Sequence, residues 1–255
     1  MSKVLAIARY TLIEALRNRL LWLALVTLGL LLLASLFVQQ LAITETWRVR
    51  AAFLAAGCRF ALVFVLTLHV ASSMVREFND KGIDLLLSLD LPRVGYYLGK
   101  LLGFVVTAWL LAALAMAAVA TTGLSASLLA WGASLALELT LVATLTLFCV
   151  ITFAQIMPAV SIVAAFYLLA RSIAAIRLIS GSQLLDQGAW TTHVAGWMVD
   201  ALALILPDLS RFTSTAWLLG GAPSAGEMGY VVLQALVYGT LLTLAGLFDL
   251  QRRSF

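Results

Sequence analysis

The chain has 255 residues, 63% of them hydrophobic and 11% charged, with a net charge of +4 and a mean hydropathy of +1.06. Water-soluble domains are about half apolar and about a quarter charged, so these side chains cannot coat a soluble globule, and lipid is the main solvent. The positive excess does not point to nucleic acid, because the basic residues flank apolar runs on alternating sides.

In chain order, the first element is Val4–Arg19. It places Val4, Leu5, Ala8, Leu12, Ala15 and Leu16 at helical spacing, with Arg9, Glu14 and Arg17 elsewhere on the wheel. That pattern is too polar to span and predicts an amphipathic helix lying on the membrane surface. Charges run through Met1 to Arg19 and no small-residue cleavage site follows the first apolar run, so no cleavable signal peptide is expected. Six runs are long enough to cross the hydrocarbon core, which takes roughly 20 helical residues. They are Leu20–Leu41, Ala51–Val75, Gly99–Thr121, Leu128–Phe153, Pro158–Ile179 and Met228–Leu250.

The expected fold class is therefore an all-α integral membrane protein with six transmembrane helices. No polar linker divides it, so residues 1–255 form one domain. Between spans five and six, Leu178–Glu227 is a long connection. Its apolar stretch Val194–Leu206 is too short to cross and is expected at the interface. In the third span Gly99 and Gly103, followed by Ala113, Ala117 and Thr121, give a small-residue face for close helix contact, within the chain or across a dimer.

Six spans leave both termini on one side. That side holds Lys3, Arg9, Arg17, Arg19, Arg76, Lys81, Arg93, Lys100, Arg252 and Arg253, and the other holds Arg48, Arg50, Arg177 and Arg211. The asymmetry predicts cytoplasmic termini.

The connection between spans two and three, Arg76 to Lys100, concentrates charge and carries an apolar core, Ile83–Leu89. Gly82 permits a sharp turn, and Pro92 ends the helix, since a proline disfavours helical geometry in the residue before it. The expectation is a short helix standing clear of the membrane and docking to another protein. The alternative is an ordinary loop resting on lipid headgroups.

Within the spans, Arg59 and Glu138 sit roughly 13–15 Å below the exterior face at about 1.5 Å per residue. Opposite in sign and equal in depth, they are expected to form an ion pair or to line a substrate path. His69 and Arg171 lie near span ends and are expected to snorkel to water or headgroups. Cys58 and Cys149 lie toward opposite membrane faces, so they cannot share an ion, and no metal site is expected. No two carboxylates share a span and His69 has no partner at its depth, which argues against an intramembrane enzyme.

Three features resemble the permeases of the type 2 ABC exporter family, in particular the branch associated with copper-enzyme maturation. The first is the elbow-like helix ending Glu14-Ala15-Leu16-Arg17-Asn18-Arg19. The second is the series Glu77, Gly82, Asp84, Leu86, Leu87, Ser88, Pro92, Arg93, Gly99 and Lys100. The third is Leu206-Pro207-Asp208-Leu209-Ser210-Arg211-Phe212 ahead of a last span that ends in Arg252 and Arg253. The family usually has Thr or Ser after the glycine and Ser before the arginine, where this chain has Ile83 and Pro92.

The resemblance implies a permease of the bacterial inner membrane, working as a pair of permease copies or paralogues. Each copy rests on a separate ATPase subunit through a coupling helix that includes Glu77, Gly82, Asp84, Leu86, Ser88, Pro92 and Arg93. ATP and magnesium would be bound by that partner, because this chain lacks a phosphate-binding glycine loop: Gly99-Lys100-Leu101 has neither the preceding glycine nor the hydroxyl. A membrane scaffold that recruits cytoplasmic proteins through the 76–100 loop is the competing reading.

Overall fold

The structure, a computed structural model, describes residues 3–41, 45–80, 92–123, 126–180, 196–202 and 206–252. Among these residues it is all-helical, with helices α1 (Lys3–Arg17), α2 (Leu20–Leu41), α3 (Thr46–Asn79), α4 (Arg93–Ala120), α5 (Ala126–Phe153), α6 (Ile156–Ser180), α7 (Thr215–Gly220) and α8 (Ala225–Arg252). A further short helical segment covers residues 196–202. Six helices, α2 to α6 and α8, are long and apolar enough to cross a membrane. The chain is a multi-pass membrane protein.

The bundle is organised around α5. In its most apolar window 78% of the residues are buried inside the protein, against 17% for α2 and 22% for α8. The central helix touches α3, α4, α6, α7 and α8. Peripheral α2 and α8 present Trp22, Leu30, Leu33, Leu233, Leu236 and Leu244 outward, as expected where lipid replaces water as the solvent. Hydroxyls inside the spans bond back to their own helices. Thr107 donates to Gly103 O at 2.9 Å and Thr146 to Val142 O at 2.7 Å, so apolar surroundings leave neither unsatisfied.

Helix ends depart from the hydropathy boundaries in physically readable ways. At about 1.5 Å per residue, α3 is about 50 Å long against a hydrocarbon core of about 30 Å, so it begins at Thr46 rather than Ala51 and runs on through Arg76 and Glu77. Helix α4 begins at Arg93, not Gly99, with Pro92 extended (φ −64°, ψ 135°) as its N-cap. A proline there gives up no intrahelical bond, and the Tyr96 amide donates to Pro92 O at 3.1 Å. Helices α5 and α6 are joined by a tight turn at Ala154, whose φ of 54° lies in the left-handed region usually taken by glycine. Ser224 and Glu227 form a reciprocal capping box on α8, with Glu227 N donating to Ser224 Oγ at 3.2 Å and Ser224 N to Glu227 Oε2 at 3.1 Å.

Helix α1 is built into the bundle instead of resting only on headgroups. It packs along the first turns of α4, with Val4 against Gly95, Ile7 against Gly99 and Thr11 against Gly103, so the contacts advance in the same sense along both helices. Ala8, Thr11 and Ala15 are its buried face. Leu5 and Leu16, expected on the same face as Ala8, are exposed. This contact assigns the small-residue face at Gly99 and Gly103 to a partner within the chain.

Candidate functional site

Two constellations of charge are built into the fold, one at the face that carries the described ends of the chain and one toward the opposite face. The first surrounds the roots of the α3–α4 connection. Lys100, 1% exposed, places Nζ 2.5 Å from Glu77 Oε2 and 3.9 Å from Glu14 Oε2. Glu14 Oε1 also accepts from Arg76 Nη2 at 2.6 Å and from Ser73 Oγ at 2.9 Å. Two carboxylates and two cations thus join α1, α3 and α4.

For Glu14, burial by itself raises the pKa. The charge of Lys100, the Ser73 hydroxyl and Arg76 outweigh it and hold the carboxyl below its ordinary 4.5. Arg93 reaches across to the end of α8, where Nη1 donates to Leu250 O at 3.2 Å and Gln251 O at 3.1 Å. These are carbonyls that a helix C-terminus cannot satisfy by itself, and the cation complements the negative end of the dipole. Of the residues expected in a coupling element, Glu77, Pro92 and Arg93 are thus engaged within the chain. Gly82, Asp84, Leu86 and Ser88, with the whole expected helix Ile83–Leu89, lie outside the described residues.

The second constellation lies between α3, α5, α6 and the segment 206–214. Glu138, fully buried on α5, accepts from Tyr167 Oη at 2.7 Å and from Thr213 Oγ1 at 2.6 Å. Its ion pair is with Arg171, Nη1 to Oε1 at 3.4 Å. Arg171 Nη1 also donates to Leu209 O at 2.6 Å and Phe212 O at 3.0 Å. Arg59 Nη1 donates to Thr213 O at 3.2 Å and Oγ1 at 3.4 Å, and Thr213 N donates to Ser134 Oγ at 2.9 Å.

The sequence expectation of a direct Arg59–Glu138 pair is therefore corrected. Both residues belong to one cluster, but Thr213 stands between them and the cation on Glu138 is Arg171. The snorkelling expected of Arg171 and His69 is corrected too. Arg171 turns inward to the cluster. His69 is 5% exposed, with its ring edge-on to Phe104 at 6.1 Å between centroids.

The cluster answers a backbone problem. Leu206, Leu209, Phe212 and Thr213 are buried without being helical, and non-helical backbone inside a membrane protein persists only where its polar groups find partners. The two guanidinium groups supply donors to three of its carbonyls, and Glu138 offsets one of their charges. Thr213 holds a φ of 46°, which is strained for a β-branched residue, and every polar atom it has is engaged. The groups that sequence reasoning missed are Thr213, Ser134 and Tyr167. A signal for the last two existed: Ser134 with Glu138, and Tyr167 with Arg171, are spaced four apart and so share a helix face.

No protein-family model matches the sequence, and no curated protein matches it.

Proposed function

We propose that the chain is the transmembrane subunit of an ATP-binding-cassette exporter of the bacterial inner membrane, with cytoplasmic termini. It pairs with a second permease copy and draws on ATP hydrolysed by a separate ATPase subunit. Its substrate is unassigned. The observation that carries this reading is the anchoring of the residues that flank segment 81–91: Glu77 holds Lys100, Arg76 holds Glu14, and Arg93 holds the end of α8. A push delivered to that segment is passed to α1, α3, α4 and α8 together. A loop resting on headgroups needs no such anchoring.

On this reading Gly82, Asp84, Leu86 and Ser88 face the ATPase, and each leucine buried there gains roughly 1.5–3 kcal/mol by leaving water. Affinity-tagged wild-type and Leu86→Asp protein, purified from the native membrane, test it. Wild type is expected to bring down a chain with an ATP-binding cassette and vanadate-sensitive ATP hydrolysis, and Leu86→Asp to lose both while still inserting. Equal recovery from the two proteins, or no such ATPase with wild type, overturns the proposal. A scaffold would retain a partner without vanadate-sensitive turnover.

A further inference from the structure

Helix α1 turns Ala8, Thr11 and Ala15 into the bundle. Its opposite side is uncovered and mixes two kinds of residue. Leu5 and Tyr10 are more than half exposed, and Ile13 and Leu16 are 40% and 45% exposed. Arg9 and Arg17 are exposed among them, and Arg19 follows, also exposed, just past the end of the helix. Leu5, Arg9, Ile13 and Leu16 follow one another at steps of four, four and three, so the first cation stands inside an apolar stripe. None of the three arginines takes part in a salt bridge among the described residues. Glu14, the carboxylate that α1 carries, is engaged by Ser73, Arg76 and Lys100.

Neither water nor hydrocarbon alone suits such a face. Water leaves the leucines and the tyrosine unburied, and hydrocarbon leaves the guanidinium groups without a counter-charge. The boundary between the two satisfies both, and the chain fixes α1 there. Only Asn18 and Arg19 separate α1 from α2, which is long and apolar enough to cross a membrane. Trp22, the third residue of α2, is 73% exposed, as an aromatic side chain at the level of the headgroups is. Arg17 and Arg19 therefore stand at that level. Arg9, with an apolar residue four positions away on either side, reaches it by extending its stem past them.

We infer that the uncovered side of α1 is a docking surface for anionic phospholipid, with headgroup phosphates at Arg9, Arg17 and Arg19 and acyl chains against Leu5, Ile13 and Leu16. Charge complementarity carries the choice of lipid: the face holds three guanidinium groups and no carboxylate, and guanidinium pairs with phosphate oxygens through two parallel hydrogen bonds. The other side of the same helix packs on α4 at Gly99 and Gly103 and reaches Lys100 through Glu14. Lipid charge and the bundle thus hold α1 from opposite sides. The inference does not depend on the exporter reading.

The test is photocrosslinking from a benzophenone side chain placed at position 13, four residues from both Arg9 and Arg17, in full-length protein reconstituted into vesicles of equal parts phosphatidylglycerol and phosphatidylcholine. The protein with its arginines intact is expected to form lipid adducts in which phosphatidylglycerol exceeds phosphatidylcholine about fivefold, the factor that one basic residue at an anionic surface confers. Changing Arg9→Gln, Arg17→Gln and Arg19→Gln together is expected to bring the two adducts to equality while the total stays the same, since the apolar contacts remain. Salt at about 1 M, where screening acts within about 3 Å, is expected to do so without any substitution, and it decides the question if the triple variant fails to insert. The absence of lipid adducts, equal adducts with the arginines intact, or a preference that persists in the inserted triple variant overturns the inference. So does a protein adduct in place of lipid when the same label is used in native membranes, which would assign this side of α1 to a protein partner.

Discussion

Thr213 Oγ1 donates to Glu138 Oε2 at 2.6 Å and accepts from Arg171 Nη1 at 3.3 Å, at a residue whose φ is 46°. The hydroxyl thus bridges a buried carboxylate and a buried guanidinium, and the strained backbone is held by what the side chain and carbonyl engage. Thr213→Val keeps the branched shape and removes the hydroxyl, so it is expected to destabilise by about 1–3 kcal/mol, the range for a buried polar partner left unsatisfied. Thr213→Ser keeps the hydroxyl and eases the left-handed conformation, and should match or exceed wild type. Thermal unfolding in detergent reads both. A Thr213→Val protein as stable as wild type would show that the hydroxyl carries nothing.

Glu138→Ala leaves two guanidinium groups without their carboxylate. The expected destabilisation is about 3–5 kcal/mol, typical of removing one member of a buried pair. Because Arg171 is in direct contact and Arg59 is joined through Thr213, the recovery in the double change with Arg171→Met should exceed that with Arg59→Met. Double-mutant cycles measure the difference directly. A larger coupling to Arg59 would reverse the pairing seen here.

Hydropathy made the six spans legible because each must bring about 20 apolar residues through lipid, a requirement met locally. It could not fix helix ends, since a helix continues wherever its backbone bonds are satisfied. Lys100 therefore reads as a loop-end cation when α4 is started at Gly99, and becomes a buried partner of Glu77 once α4 starts at Arg93. The intramembrane cost of charge singled out Arg59 and Glu138, which meet in one cluster through Thr213. Which cation meets Glu138 depended on where the segment 206–214 descends, and that descent is fixed by hydrogen bonds to three different helices. Nothing in the local pattern around Thr213 announces it.

Acid should loosen α1. The Glu14 carboxyl is held below 4.5 in the folded protein, so its stabilising contribution is complete above that value. It is lost as pH falls through the lowered folded value, where the carboxylate takes up a proton and releases Lys100 and Arg76. Spin labels on α1 and α4 are expected to separate on that acid limb. Glu14→Gln should show the wider distance at neutral pH and no acid-side step. A step that persists in Glu14→Gln would place the responsible group elsewhere.

The glycines of the spans should sort by what faces them. A Cβ at Gly103 would lie 2.6 Å from Thr11 Cβ and 3.0 Å from Ala8 O, and one at Gly99 would lie 2.7 Å from Ile7 Cβ and 3.0 Å from Val4 O. Backbone and branched carbons cannot move aside, so Gly103→Ala and Gly99→Ala must push α1 off α4. At Gly132 the nearest atom is Met116 Sδ at 2.6 Å, the far end of a flexible thioether that can turn away. Gly29 has nothing within 4 Å, and there alanine brings only its advantage in helix propensity, about 0.8–1.0 kcal/mol in water. The expected order of stability is Gly29→Ala at or above wild type, Gly132→Ala near it, and Gly99→Ala and Gly103→Ala well below, in the range of about 1–3 kcal/mol for overpacking. Protease sensitivity of α1 should rise in the last two alone, because only there is the lost contact one between α1 and the bundle. Equal protection of α1 in all four variants would mean that α1 does not depend on the close approach at Gly99 and Gly103, and that another contact, the Glu14 cluster first among them, holds it in place.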